Sequence, residues 1–145
     1  MADQHVEAGT IHGTLTVSVV TPEATLLEAN ATFVALPLFD GELGVAPGHS
    51  PFIGRLGYGE LRVVDGGTTT RFYVDGGFVQ VANNVVSILT NQAIPAKALN
   101  ADTARAELAA ARNRVANTTE LLDIRDRVQL QARAKVRVAL KSSSL

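Results

Sequence analysis

Four arginines and one aspartate in the C-terminal third of the chain have the spacing of an anion-binding site. Asp102, Arg105 and Arg112 are separated by three and seven residues. Arg133 and Arg137 are separated by four, and residues at such spacings share one face of a helix. If two helices fold back on each other, the four guanidinium groups converge on one polyphosphate, which suits their fork geometry. The alternative is a set of surface ion pairs, each worth less than about 1 kcal/mol, and spacing alone favours that alternative.

A second group of reactive side chains lies in residues 40–51. Asp40, His49 and Ser50 are the residue types of a catalytic triad, so a stand-alone β-sandwich hydrolase or adaptor that uses this loop is one interpretation. Neighbours in sequence rarely reach triad geometry, and the proline after Ser50 restricts its backbone. Five of the eleven residues after Asp40 are Gly or Pro. The segment is therefore predicted to be a rigid corner that presents Glu42 and His49.

The rest of the sequence lacks the usual signatures of metal, nucleotide or hydrolytic chemistry. There are no cysteines, the three histidines have no paired ligand spacing, and neither a phosphate-binding Gly-rich loop nor a Gly-x-Ser-x-Gly elbow occurs. The arginine-rich tail has no aromatic residues for base stacking, which argues against nucleic acid as a partner. No apolar run approaches the roughly 20 residues of a spanning helix, and the N-terminus shows no secretory signal. We therefore expect no catalytic residue, no metal, no required cofactor and no insertion into a membrane.

Charge is distributed unevenly along the chain. Residues 1–99 contain four Lys/Arg against nine Asp/Glu, a net charge of −5. Residues 100–145 contain nine against five, a net charge of +4. An acidic body with a basic tail predicts an anionic partner for the tail, and the alternative is a solvated helix face.

Residues 1–94 are predicted to form an antiparallel β-sandwich or barrel. Residues 14–19 alternate polar and apolar side chains, which is the period of a half-buried strand. A second strand is predicted from Ala29 to Leu36, ending at Pro37. Short β-rich segments then follow one another, separated by turns of residue types that accept left-handed backbone, at Asp65–Gly67, Asp75–Gly77 and Asn83–Asn84.

Residues 95–145 are predicted to form an antiparallel helical hairpin. Asn100 is the predicted N-cap of the first helix, and Asn117, with Glu120 three residues later, that of the second. Small apolar residues recur at helical spacing, at Ala101, Ala104, Leu108, Ala111 and Val115, then at Leu121, Ile124, Val128, Ala132 and Val136. Because an alanine-rich seam buries little area, we expect the hairpin to be only marginally stable alone and able to change its docking.

Three segments of the chain resemble the motifs of a known family, the epsilon subunit of rotary F-type ATP synthases. They are Gly41–Pro51 with the following Gly59-Glu60-Leu61, the block Gly76-Gly77-Phe78-Val79, and Asp102-Thr103-Ala104-Arg105-Ala106. The resemblance extends from about Thr14 to Leu140. It implies a sandwich of about ten strands followed by a C-terminal antiparallel two-helix hairpin.

The resemblance also implies a function. Members of this family are non-catalytic subunits of the central stalk, which bind the gamma subunit and the ring of c subunits and help couple proton flow to rotation. Their hairpin can inhibit ATP hydrolysis, when its basic residues meet an acidic segment of the catalytic beta subunit. The implied location is peripheral, on the cytoplasmic face of the bacterial inner membrane or the stromal face of a thylakoid.

Two sets of residues acquire roles through the resemblance. In some family members the folded hairpin binds ATP as a regulatory ligand, and the matching residues here are Asp102, Arg105, Arg112, Arg133 and Arg137. Asp102 would orient Arg105 or accept from a ligand amine. Glu42 and His49 match positions that contact the c-ring.

Overall fold

The computed structural model describes residues 13–143. His5, His12 and the N-terminal stretch on which the secretory-signal prediction rests lie outside the described residues. The described chain forms eight strands, a short 3-10 helix and two α-helices. Their bounds are β1 Leu15–Val20, β2 Thr25–Ala31, β3 Phe33–Leu38, β4 Gly41–Val45, β5 Phe52–Asp65, β6 Thr68–Ala82, β7 Val85–Leu89, β8 Ala93–Pro95, the 3-10 helix Ala96–Ala98, α1 Ala101–Arg112 and α2 Thr119–Ser143.

The strands form an open sandwich in the order β2-β1-β7-β6-β5-β3-β4, with β8 added beside β6. Neighbouring strands are antiparallel, except that β1 and β7 run parallel. The core consists of the inward-facing side chains, and Leu15, Val17 and Val19 are fully buried, which confirms the predicted alternation in β1.

The sandwich has eight strands in the described residues, where the family resemblance implied about ten. One reason is that Asp75–Gly77, predicted to be a hairpin turn, lies inside the 15-residue strand β6. Gly76 and Gly77 have φ values of +67° and +108°, which bend the strand without reversing it. Before the bend β6 pairs with β8, and after the bend it pairs with β7.

Other turns follow the sequence more closely. Asn83 and Asn84 have φ values of 51° and 62° and reverse the chain between β6 and β7, as predicted. The strand predicted to end at Pro37 is instead two strands, β2 and β3, and β3 continues through Pro37. Its pairing with β5 shifts between Ala35 and Leu38, so the proline lies where no ladder donor is needed.

The helices confirm one cap and correct the other. The Asn100 side chain accepts hydrogen bonds from the backbone N–H groups of Asp102 (2.8 Å) and Thr103 (3.1 Å). The second helix is capped by the Thr118 hydroxyl, which accepts from the Leu121 N–H at 3.2 Å, and not by Asn117. Because α1 ends at Arg112, Val115 lies outside the helix and is 85% exposed, contrary to its predicted place in the seam.

The two helices form the predicted antiparallel hairpin. The seam is built from alanines, with Ala104 and Ala111 of α1 and Ala132 and Ala139 of α2 buried. Its polar edge includes the contact of Lys135 Nζ with Glu107 Oε2 at 3.4 Å. Among residues 13–143, no helix is long and apolar enough to span a membrane.

Candidate functional site

The glycine- and proline-rich segment after β4 is held as a fixed corner. The His49 N–H donates to the Ala46 carbonyl at 3.1 Å, closing a turn in which Gly48 has a φ of +87°. The Gly48 N–H donates to the side-chain oxygen of Asn84 at 2.8 Å, which ties the corner to the β6–β7 turn. The backbone of this segment therefore has a structural role.

The same geometry removes the proposed triad. Asp40 precedes β4 and His49 follows it, and a five-residue strand spans about 13 Å at 3.3 Å per residue. The Nδ1 atom of His49 donates to the backbone carbonyl of Ser50 at 2.7 Å, and the Ser50 hydroxyl is not involved. A hydrolase that uses residues 40–51 therefore has no assembled site.

Glu42 and His49 lie at different ends of β4. Glu42 Oε1 on β4 accepts from Arg62 Nη2 on β5 at 3.3 Å, an exposed contact across the intervening strand β3. The His49 ring packs edge-on against Phe52, with ring centroids 6.4 Å apart. The structure does not bring the two side chains together, and their contact with a c-ring stays a prediction.

Three of the four predicted arginines share one side of the helical hairpin. Arg105 and Arg112 each follow a buried seam alanine by one residue, Ala104 and Ala111, and Arg133 follows Ala132 in the same way. One residue is a rotation of about 100° on a helix, and in an antiparallel pair equal rotations from the seam face the same side. We call Arg105, Arg112 and Arg133 the arginine strip.

The three arginines of the strip also lie close together along the length of the hairpin. The Glu107–Lys135 contact places residue 109 opposite residue 133, so Arg133 lies between Arg105 and Arg112 along the hairpin, about 5 Å from the level of each. All three side chains are exposed. Asp102 Oδ1 lies 3.5 Å from Arg105 Nη1, and its carboxylate can orient that guanidinium.

Arg137 lies one turn of α2 after Arg133, beside the sandwich. It lines a cleft of about 300 Å³ between α2 and the sandwich, together with Glu42, Glu60 and Lys141. Two of those neighbours are carboxylates, so this arginine faces an environment that disfavours a bound phosphate. The contacts therefore put Asp102 and the arginine strip on one side of the hairpin, and Arg137, one turn after Arg133 on the same helix, lines the cleft against the sandwich.

Helix α2 docks on the sandwich through a small apolar contact, which we call the docking interface. Ala134 and Val138 pack against Tyr73 of β6 and Ala96 of the 3-10 helix. Beside it, Gln131 Nε2 donates to Asp75 Oδ1 at 2.8 Å. At the other end, Lys141 Nζ donates to Glu60 Oε1 at 3.2 Å.

Glu60 is the charged centre under the end of α2. Its side chain is 9% exposed and receives both Arg71 Nε, at 2.9 Å, and Arg71 Nη2. Arg62 Nε lies 3.4 Å from its other oxygen, which also accepts from Lys141. Sequence analysis included Glu60 in a family motif but did not assign it this role, because its partners are up to 81 residues away.

Tyr73 lies beneath the hairpin as a buried polar group. Its hydroxyl has no hydrogen-bond partner among the described residues, and Lys135 Nζ lies 5.6 Å from the centre of its ring. Burial, with a smaller contribution from Asp75, raises the pKa of the Tyr73 phenol well above its usual range. The side chain therefore stays neutral at physiological pH and acts as packing.

Part of the sandwich surface exposes several large apolar side chains, and we call it the outer face. Arg55, Phe78 and Leu89 lie directly opposite one another on three adjacent strands, β5, β6 and β7. Ile53 lies two residues along β5 and is 74% exposed, while Phe78 and Leu89 are 58% and 55% exposed. Exposed apolar side chains that adjoin one another make this face a candidate for contact with another macromolecule.

Comparison with known proteins places this architecture in a family. Residues 14–96 match the family model of the ATP synthase delta/epsilon chain β-sandwich domain. An ATP synthase epsilon chain from Rhodopirellula baltica is 49% identical over 121 residues, covering 83% of this chain and 94% of the relative. One from Desulfitobacterium hafniense is 36% identical over 126 residues, covering 87% and 95%.

Solved structures agree on the fold. A chain in the mitochondrial ATP synthase of Euglena gracilis, in an assembly of OSCP, F1 and c-ring, superimposes with a TM-score of 0.73 at 20% identity, covering all of this chain and 90% of that one. A chain in the central stalk and c-ring assembly of Tetrahymena thermophila has a TM-score of 0.70 at 15% identity, covering 86% and 96%.

The chain therefore belongs to the epsilon-chain family of ATP synthases, whose members are non-catalytic subunits of that complex. The arginine strip, the docking interface and the outer face are consequently candidates for binding and regulation. They are not candidates for catalysis.

Proposed function

We propose that this chain is the central-stalk subunit that couples the rotor ring of a proton-translocating ATP synthase to the catalytic head. In this proposal the outer face binds the gamma subunit, and Glu42 and His49, at different ends of β4, meet the c-ring. Residues 1–94 are the binding domain and residues 95–145 the regulatory domain. The complex holds the chain as a peripheral protein at the cytoplasmic face of a bacterial inner membrane, or the stromal thylakoid face, without a cofactor of its own.

The hairpin is proposed to be a two-state element. The observation that carries this is the small docking interface, in which α2 contributes only Ala134 and Val138 as fully buried apolar contacts to the sandwich. Burial at about 25 cal/mol per Å² gives side chains of this size only a few kcal/mol. The partly buried Gln131–Asp75 hydrogen bond and the Lys141–Glu60 ion pair each add about 1 kcal/mol, so a competing partner that binds the free helix tightly enough can displace it.

The competing partner is proposed to be the acidic segment of the catalytic beta subunit. Residues 100–145 carry a net charge of +4, and Arg105, Arg112 and Arg133 are exposed. An extended hairpin would bring this charge to an acidic surface and hold the rotor against rotation in the hydrolysis direction.

Removal of the hairpin tests the inhibitory role. A chain that ends after Leu99 retains β8, which pairs with β6, and should still assemble. We expect ATP hydrolysis by the assembled enzyme to rise severalfold relative to the full-length chain. The measurement is steady-state hydrolysis by purified complexes with equal content of this subunit. Equal rates for the two complexes would contradict inhibition by the hairpin.

The arginine strip is proposed to bind ATP and so to favour the compact state, in which α1 and α2 stay paired beside the sandwich. The three guanidinium groups lie along one side within about 10 Å lengthwise, a span suited to a triphosphate, with Asp102 beside the first of them. Because a ligand shifts a two-state equilibrium only by its differential affinity, ATP must lose the Arg133 contact when the helices separate.

Calorimetric titration of the isolated full-length chain with millimolar ATP tests this binding. Arg133→Ala should weaken the affinity by roughly tenfold or more, since it removes charge-assisted hydrogen bonds. Arg137→Ala is the matched control, one turn along α2 and outside the strip, and should change the affinity by less than about threefold. The proposed site would be contradicted if the unaltered chain gave no heat of binding with ATP. It would also be contradicted if the two substitutions weakened the affinity for ATP equally.

A stand-alone adaptor is the competing class of function. Co-purification separates the two, because a stalk subunit is recovered with the gamma subunit and an independent adaptor is not.

A further inference from the structure

We propose that the outer face recognises its partner through a carboxylate that pairs with Arg55. The inference rests on the proposed function, in which this face binds the stalk partner, and it adds the chemistry that the partner surface must present. That chemistry is an acidic side chain surrounded by apolar groups.

Arg55 is held in place before any partner binds. Its guanidinium carbon lies 4.7 Å from the centre of the Phe39 ring, a cation–π contact. The Phe39 N–H donates to the Arg55 carbonyl at 2.9 Å, so the two residues are also joined through the backbone. A side chain that is already oriented loses less conformational freedom when it binds.

Arg55 differs from the other arginines of the sandwich in its charge environment. Arg62 and Arg71 both pair with Glu60, and Arg62 also pairs with Glu42. Within residues 13–143, Arg55 forms no ion pair, and its guanidinium contacts the Phe39 ring. Among the described residues, Arg55 is therefore a sandwich guanidinium without a carboxylate partner, and it lies among the exposed apolar side chains of the outer face.

The neighbours of Arg55 are apolar, so a partner that packs against them also buries the charge of Arg55. Phe78 lies directly opposite it across the β5–β6 pair, Leu89 lies beyond Phe78, and Ile53 is the next exposed residue of β5. An apolar partner that covers these side chains also removes water from the guanidinium. Burying an unpaired charge is strongly unfavourable, so a partner that fits this face must supply an anion, and the planar fork of Arg favours a carboxylate.

The test is binding of the full-length chain to the purified gamma subunit, measured at several salt concentrations. Arg55→Glu should weaken binding roughly 30-fold or more, because truncating or reversing one member of a buried pair has effects of this size. Arg55→Met keeps an apolar stem without the charge, and should also weaken binding and reduce its dependence on salt. Arg114→Glu, an exposed charge reversal on the helix connection, is the control and should bind as the unaltered chain does.

A fourth variant separates failure of this inference from failure of the proposed function. Leu89→Asp places a charge in the outer face, and should abolish binding if that face is the interface. If Leu89→Asp binds normally, the proposed interface is wrong. If Leu89→Asp abolishes binding while Arg55→Glu or Arg55→Met binds as tightly as the unaltered chain, the face is the interface but its recognition of a carboxylate is overturned.

Discussion

Replacement of Gly77 by alanine is expected to destabilise the sandwich by about 3 kcal/mol or more. Gly77 has a φ of +108°, a conformation that side-chain-bearing residues rarely adopt. An added Cβ would overlap the carbonyl oxygen of Leu89 and lie 2.8 Å from the Cα of Thr90. Because both obstacles are backbone atoms of the adjacent chain segment, no side-chain rotation relieves the clash.

Gly67→Ala is the matched control for this prediction. Gly67 lies in the β5–β6 turn, its φ is not positive, and a Cβ there would meet no heavy atom within 4 Å. The Gly67→Ala substitution should change the free energy of unfolding by no more than about 0.5 kcal/mol. Urea denaturation of both variants makes the comparison, and equal stabilities would show that the backbone at Gly77 can shift without cost.

The expected effect at Gly77 has a consequence for the outer face. The residue lies at the bend of β6, directly before Phe78, and its backbone approaches the end of β7. Relief of the clash would move Phe78 and Leu89 apart. A partially folded Gly77→Ala chain should therefore also lose affinity for the stalk partner.

Replacement of Val138 by aspartate is expected to release α2 from the sandwich without unfolding the sandwich. Val138 is 3% exposed and packs with Tyr73 and Ala134 in the docking interface. An unpaired carboxylate at that position has a desolvation cost of several kcal/mol, which exceeds what the small contact contributes. The docking equilibrium constant, the ratio of docked to undocked molecules, should fall at least tenfold, corresponding to about 1.4 kcal/mol.

Limited trypsin digestion measures this release, since the hairpin contains most of the chain's Lys and Arg residues. Cleavage within the hairpin should accelerate in Val138→Asp, while the sandwich keeps its thermal transition. Leu130→Asp is the control, because Leu130 is on the same helix but 53% exposed. Identical cleavage rates for the two variants would mean that the docking interface does not hold the hairpin.

The assembled enzyme extends the same test to function. If the undocked hairpin is the inhibitory state, Val138→Asp should lower ATP hydrolysis, whereas the chain that ends after Leu99 should raise it. Opposite effects from these two changes would distinguish an inhibitory hairpin from one that merely supports assembly.

Local features of the fold were predictable because they depend on neighbouring residues. The alternation in β1, the Asn83–Asn84 turn and the Asn100 cap each involve side chains within three residues of the backbone that they shape. Where a local turn signal competes with long-range strand pairing, the prediction was wrong. Asp75–Gly77 has turn composition, but Asp75 N donates to the Gln92 carbonyl at 3.1 Å, and this long-range pairing keeps β6 continuous.

The amino-acid sequence by itself determined the order of sandwich and hairpin, the family, and the residue types of the arginine strip. Only the tertiary structure decided that Arg137 lines the cleft against the sandwich, that Glu60 and Asp75 receive contacts from α2, and that Arg55 is exposed with no ion pair among residues 13–143. The physical reason is sequence separation. Gln131 reaches Asp75 across 56 residues and Lys141 reaches Glu60 across 81, and such pairs are set by how the helix packs on the sheet, which no local pattern specifies.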